Sequence, residues 1–320
     1  MLRIPARPAF LRGKLRGSSR AHTGRGGGDD MNAGILTETM QSARMSLAFA
    51  RNYLTYSLWM WRERPENLAS CVEAGDTSIY YHCYGRGEPV LILHGGFAYS
   101  GTWAGQIPEL ACMYRVIAPD SRGHGRSTLG TKPLTYRQMA GDMAALITKL
   151  RLGAVHLVGW SDGGCTSLAL ALEHPELVRS MVLLGTPFNT DNYTAGAIRE
   201  MEDILHPWSP SMLGLRFMRR LMTPEARKGR EFLEKMTRMW RELPDFTAQD
   251  LGRIQAPTLV IGCDRDEFLS LWPDPLRVFK ETAAAIPDAR LEVIAGGTHI
   301  VSMERPREVN ALILDFLQSL

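Results

Sequence analysis

The sequence predicts an α/β domain: a mostly parallel, twisted sheet with helices on both faces, interrupted once by an inserted helical segment. Three observations predict it. From about residue 71 onward, short apolar runs alternate with amphipathic helical periods. One such run passes directly into Gly159-Trp160-Ser161-Asp162-Gly163 and then into a helical period, and the stretch 188–255 holds no strand-like run. Strands that alternate regularly with helices need crossover connections, and crossovers make neighbouring strands parallel and cover both faces of the sheet.

Taken in order, residues 79–84, 89–93, 115–118, 155–158, 181–184, 258–261 and 291–294 are apolar runs with the length and composition of buried strands. Between them, Met139, Met143, Leu146, Ile147 and Leu150 recur at helical spacing and mark the inward face of one helix. Val309, Leu312, Ile313, Phe316 and Leu317 mark another, with Pro306 in its first turn. The core is therefore expected over 71–187 and 256–320. Residues 188–255 are expected to form a helical cap, since Trp208, Met212, Phe232, Met236 and Trp240 stand among helical periods there. A cap over a site must present some apolar surface to substrate.

The 320 residues are 45% hydrophobic and 22% charged, which suits one large domain and not a disordered or repeat chain. The formal net charge of +3 comes from the N-terminus: residues 1–30 hold seven Arg or Lys against two Asp, while the remainder is 30 basic against 32 acidic. A nucleic-acid footprint needs basic residues on a folded face, so a Gly- and Arg-rich tail makes nucleic acid an unexpected partner. Residues 1–34 are expected to be a disordered leader. Residues 1–30 also fit a start-site artefact ahead of Met31, or a transit-type presequence that would make the destination organellar.

Over 35–70 a helical extension is expected. Its helix, 35–62, keeps Met45, Leu47, Phe49, Tyr53, Leu54, Leu58 and Trp61 broadly on one side, a pattern suited to docking on a core or, through 45–61, to contact with a membrane surface. The same stretch is broken by Arg51 and falls short of the roughly 18 to 20 uncharged apolar residues of a membrane span. The five cysteines, Cys71, Cys83, Cys112, Cys165 and Cys263, include no CxxC pair and read as free thiols of a reducing, cytoplasmic compartment.

The chemistry is concentrated at Ser161. A Gly-x-Ser-x-Gly segment between a strand and a helix demands a very sharp turn that exposes the serine Oγ, and the small residues Gly159 and Gly163 let strand and helix approach closely. The helix start beyond it aims backbone N–H groups at any anion forming beside Ser161. A serine hydroxyl is a weak nucleophile at neutral pH and needs a base held in one tautomer. Of the eight histidines, His299 lies in the loop after the last expected strand, at the carboxyl edge of the sheet where sites form in such folds. The orienting acid is expected at Asp266, with Asp264 as its competitor for the role and Glu267 a more distant one. The oxyanion donors are expected to be the N–H of Gly96 or Phe97, after the strand 89–93, together with that of Asp162; His94 reads as a structural hydrogen-bonding residue.

These blocks resemble the α/β-hydrolase superfamily over roughly residues 71–320: His94-Gly95-Gly96-Phe97, then Asp120-Ser121-Arg122-Gly123-His124-Gly125-Arg126-Ser127, then Gly159-Trp160-Ser161-Asp162-Gly163-Gly164, and last Asp266 with His299. The resemblance implies the α/β-hydrolase fold, with the nucleophile, acid and base in that chain order and a cap where 188–255 stands. Cys263 stands where members commonly have glycine, three residues before the acid. Gly-Trp-Ser-Asp-Gly-Gly is further similar to the valacyclovir hydrolase (biphenyl hydrolase-like) group, which implies that Asp162 receives the ammonium of an α-amino acid ester; in a plain esterase the same acid caps the helix start.

The expected function is a serine hydrolase that cleaves small to medium carboxylic esters, needing neither metal nor other cofactor, with Asp162, Trp160, Trp208 and Met212 at the substrate. An α-amino acid ester hydrolase and a non-turnover ligand-binding member of the fold are the alternatives. Serine at 161 argues against the epoxide hydrolases and dehalogenases of this superfamily, which use aspartate there.

Overall fold

The computed structural model describes residues 47–48, 50–62, 67–204, 220 and 223–320. The leader expected over 1–34 and the first part of the helix expected over 35–62 lie outside them. Among the described residues eight strands form one sheet: β1 (Asn67–Ala74), β2 (Thr77–Tyr84), β3 (Pro89–Leu93), β4 (Arg115–Pro119), β5 (Val155–Trp160), β6 (Val178–Leu184), β7 (Thr258–Cys263) and β8 (Ala289–Ile294), in the order β1-β2-β4-β3-β5-β6-β7-β8. β1 pairs antiparallel with β2, and β2 antiparallel with β4; all other pairs are parallel.

Alternate residues along the buried strands supply two cores, as the two-residue period of a strand requires. Leu91, Leu93, Ile117 and Leu157 face one side, against helices α2 (Tyr136–Lys149) and α3 (Asp162–Glu173). Val90, Ile92, Val116, Ala118 and Val158 face the other, against Val309, Ile313 and Phe316 of the C-terminal helix Pro306–Gln318. Thr135 caps α2 by accepting a hydrogen bond from the Gln138 N–H at 3.0 Å. β1 begins at Asn67, within the stretch expected to be helical. It is an edge strand in which Val72 and Ala74 are buried while Leu68, Ala69, Ser70 and Cys71 are exposed, so its sequence carries little of the apolar signal of a buried strand.

The N-terminal helix, α1 (50–62), docks through a face other than the expected one. Ala48, Tyr56, Trp59 and Met60 meet the core, Asn52 donates to the Met303 carbonyl at 2.7 Å, and the Tyr56 and Tyr84 hydroxyls lie 2.7 Å apart. Leu47, Tyr53, Leu54, Leu58 and Trp61 are exposed. Hydrogen bonds from Asn52 and Arg51 select the docked face, and apolar spacing alone does not reveal them.

Between β6 and β7 the described residues include the helices α4 (Ala195–Ile204) and α5 (Gly229–Glu242) and a short turn of helix, Ala248–Leu251. On α5, Phe232, Met236 and Met239 are buried and merge with the first core. The helices Arg277–Ala285 and Pro306–Gln318 become α6 and α7 in chain order. β3 is followed by β4 on one side and, after α2, by β5 on the other. The strand order reverses at β3, and the crevice outside the carboxyl ends of β3 and β5 is where an open α/β sheet leaves room for a ligand.

Candidate active site

Four loops meet at that carboxyl edge. Register pairs Leu93 with Gly159, Trp160 with Leu184 and Cys263 with Ile294, so the residues that follow these strands emerge side by side. Ser161 follows β5 in a left-handed backbone conformation, φ 54° and ψ −120°, which a side chain with a Cβ adopts only under strain. Tight packing holds the turn: a Cβ on Gly159 would lie 2.6 Å from the Gly163 carbonyl oxygen, and one on Gly163 would collide with the Leu93 carbonyl. The Ser161 N–H is anchored to the Leu184 carbonyl at 3.0 Å.

His299 reaches Ser161 from the loop after β8, with Nε2 3.1 Å from the serine Oγ. Its Nδ1 faces both carboxylate oxygens of Asp266, at 3.0 and 2.9 Å. Asp266 is fully buried, and its Oδ1 also accepts the N–H groups of Phe268 and Leu269. Asp264 serves the turn after β8 instead, where its Oδ1 accepts the Gly296 N–H at 2.6 Å. Glu267 accepts the backbone N–H of His299 at 3.0 Å, and the Phe268 ring lies against the imidazole with centroids 4.6 Å apart. Burial pulls the His299 pKa down, but the carboxylates of Asp266, foremost, and of Glu267 and Asp162 together outweigh it and the net shift is upward.

Trp160, expected at the substrate, is placed otherwise. Its ring is buried in the second core and its indole N–H donates to the His299 carbonyl at 2.8 Å, so it holds the loop that carries the imidazole. Trp208 and Met212 lie outside the described residues.

The loop after β3 abuts the serine turn, where a Cβ on Gly95 would be 3.2 Å from the Ser161 Cβ. Phe97 adopts φ 55°. Neither its N–H nor that of Asp162 donates to another backbone group outside regular helix and strand bonding among the described residues. His94 underpins this loop: Nδ1 lies 2.7 Å from the Gly95 carbonyl, and Nε2 accepts the Ser121 N–H at 3.0 Å. Accepting a hydrogen bond at Nε2 requires an unprotonated ring nitrogen there, and burial lowers the His94 pKa in agreement.

Asp162 is the residue whose surroundings spacing did not reveal. Its carboxylate is buried and is bonded by the Tyr136 hydroxyl of α2 at 2.9 Å and the Trp240 indole of α5 at 2.9 Å. Burial raises its pKa, which these two bonds oppose. Trp240 and Phe232 also stand edge-on to Phe97, with centroids 5.1 and 5.6 Å away, and a Cβ on Gly96 would strike the Trp240 ring. The signal for Trp240 and Phe232 was an aromatic pair on one amphipathic helix, indistinguishable in sequence from core filler.

Residues 88–217 match the family model described as the alpha/beta hydrolase fold. A 2-hydroxy-6-oxo-6-phenylhexa-2,4-dienoate hydrolase of Comamonas testosteroni is 30% identical over 274 residues, covering 77% of this chain and 93% of the relative. Among solved structures, a meta-cleavage product hydrolase of Pseudomonas fluorescens IP01 superposes with a TM-score of 0.64 at 25% identity, covering 78% of this chain and 97% of the other. A thermophilic esterase of Thermogutta terrifontis does so with a TM-score of 0.59 at 26% identity, covering 80% and 98%. A likeness that runs along nearly the full length of each relative, in a chain with this sheet and this serine turn at its carboxyl edge, means that the chain belongs to the α/β-hydrolase fold family.

Proposed function

We propose that the protein hydrolyses small to medium carboxylic esters through an acyl-enzyme on Ser161. The observation that carries the reading is the continuous chain of contacts from Asp266 through His299 to the strained Ser161. His299 Nε2 takes the Ser161 proton as Oγ attacks the ester carbonyl carbon, and Asp266 keeps the other ring nitrogen protonated and facing it. The carbonyl oxygen takes up the negative charge between the N–H groups of Phe97 or Gly96 and Asp162. Collapse expels the alcohol, which receives the proton from His299. Water, deprotonated by the same imidazole, then releases the carboxylic acid. The segment 188–255 acts as the cap, its Phe232 and Trp240 supplying apolar wall beside Phe97.

The carboxylates of Asp162 and Asp266 are bonded by hydroxyl, indole, imidazole and amide groups and by no Lys or Arg among the described residues. The same observation supports a second reading, an α-amino acid ester whose ammonium meets Asp162.

A fluorophosphonate probe tests the first reading: wild type labels and Ser161→Ala does not. Failure of the wild type to label would give the chain a ligand-binding role instead. A panel of acyl chain lengths beside L-amino acid esters, measured with wild type and Asp162→Asn, separates the two substrate classes, since only an ammonium-binding role makes the loss selective for amino acid esters.

A further inference from the structure

The outward face of α1 is an apolar stripe on a helix already anchored by its other side. Leu47, Leu54, Leu58 and Trp61 are 73%, 62%, 56% and 76% exposed. At helical spacing these four positions fall within about 60° of one another, on the side opposite Asn52 and Tyr56. The inner face does not need them, because Asn52 and Arg51 bond the Met303 and Glu304 carbonyls and Tyr56 bonds Tyr84. Water gains nothing from four large apolar side chains held in a row, and an exposed row of this kind marks a contact surface.

Charge identifies what it contacts. Residues 1–62 hold ten Arg or Lys against three Asp or Glu, whereas residues 63–320 hold 27 against 31. The basic excess of the chain lies wholly in the segment that contains the apolar stripe. Leucines with a tryptophan on one helix face and basic residues in the adjoining sequence suit the interface of an anionic bilayer, where the apolar side chains enter the headgroup boundary and the cations meet lipid phosphate. Among the described residues no helix is long and apolar enough to cross a membrane, so the contact is one of lying on the surface.

We propose that the stripe Leu47, Leu54, Leu58 and Trp61 docks the protein on anionic lipid surfaces. Only the Asn52 end of α1 lies near the catalytic edge, held by Met303 and Glu304 of the short helix Val301–Glu304 that follows the His299 loop, while Tyr56 and Trp59 reach Tyr84 at the opposite edge of the sheet. The proposal does not depend on which bond Ser161 attacks.

The test is co-sedimentation of the full chain with phosphatidylcholine vesicles, with and without phosphatidylglycerol, using wild type and the combined variant Leu54→Ser, Leu58→Ser, Trp61→Ser. The wild type is expected to bind the phosphatidylglycerol vesicles at least about tenfold more tightly than pure phosphatidylcholine, and to weaken as salt is raised. The variant is expected to lose about tenfold or more of that binding while its thermal midpoint stays within a few degrees of wild type. Absence of wild-type binding to either vesicle overturns the proposal whatever the variant does. Equal binding by variant and wild type also overturns it, since the basic tail alone would then suffice. A wild-type dimer that the variant converts to a monomer in light scattering overturns it in favour of a second copy on the stripe.

Discussion

The indole N–H of Trp240 donates to Asp162 Oδ2 at 2.9 Å, so a helix inserted between β6 and β7 grips the residue that directly follows Ser161. The backbone N–H of that same residue is a proposed oxyanion donor, and the carboxylate is further held by Tyr136. Trp240 therefore acts as a positioning residue, tying the inserted segment to the serine turn. Trp240→Phe keeps the aromatic contact with Phe97 but removes one donor from a buried carboxylate, an interaction worth about 1.5–3 kcal/mol. The expected result is a fall in kcat of about tenfold with KM changed by about twofold or less, since the loss is of transition-state stabilisation. Steady-state kinetics on a short-chain ester read the split, and a KM effect alone would make Trp240 a substrate wall only.

The pH dependence follows from the raised pKa of His299. The imidazole must be neutral to accept the serine proton, so kcat/KM is expected to rise with pH along a limb whose midpoint lies above the ordinary value of 6.5. Asp266→Asn removes the carboxylate that raises this pKa most: the midpoint moves down, and the rate falls by about 10⁴, the scale seen when such an acid is replaced by its amide in another serine hydrolase. The stability linkage has a fixed sign. A histidine whose folded pKa exceeds its unfolded value contributes stability that is full below about 6.5 and is lost as pH rises through the folded value. The gap in thermal midpoint between wild type and His299→Gln should therefore narrow with increasing pH.

The serine turn is held by contacts that admit no Cβ. In Gly159→Ala the new methyl would lie 2.6 Å from the Gly163 carbonyl oxygen, and because that neighbour is backbone the strand and helix must part. Overpacking of this kind costs about 1–3 kcal/mol. A lowered midpoint in thermal unfolding, together with slower fluorophosphonate labelling, is expected. Gly153→Ala is the control for a glycine with open space around it: a Cβ there meets nothing within 4 Å, and its positive φ alone should produce a smaller loss.

Much of this architecture was legible because burial writes itself into sequence. β3, β5 and β7 are buried almost throughout, and each reads as a largely apolar run, broken in β5 by His156. β1 did not, because an edge strand with four consecutive exposed residues lacks that run. At the site, Ser161 and His299 were marked by their positions after strands, a property of the chain itself. The division of labour between Asp264 and Asp266 is tertiary: it depends on the Gly296 N–H and the His299 ring, which approach only once β7 and β8 pair. The Asp162, Tyr136 and Trp240 cluster joins α3, α2 and α5, and no local pattern encodes that meeting. For α1, both faces carry large side chains, so periodicity could not say which one docks.

The loop after β4 rests on a buried ion pair that gives the last prediction. The Arg122 guanidinium, wholly buried, bonds both oxygens of Asp142 on α2 at 2.6 and 2.5 Å, and reaches Asp76 in the turn between β1 and β2 at 3.3 Å. Two charges removed from water offset their desolvation only while both are present, so the pair contributes little in sum but makes each partner hard to remove alone. Arg122→Leu leaves Asp142 buried without its cation and is expected to cost about 3–5 kcal/mol. Replacing both, with Arg122→Leu and Asp142→Leu together, is expected to recover most of that loss, because no uncompensated charge remains. Urea unfolding of the wild type, the two single variants and the double variant measures the coupling. Single and double variants of equal stability would mean that Arg122 acts mainly through Asp76 or through packing, and not through Asp142.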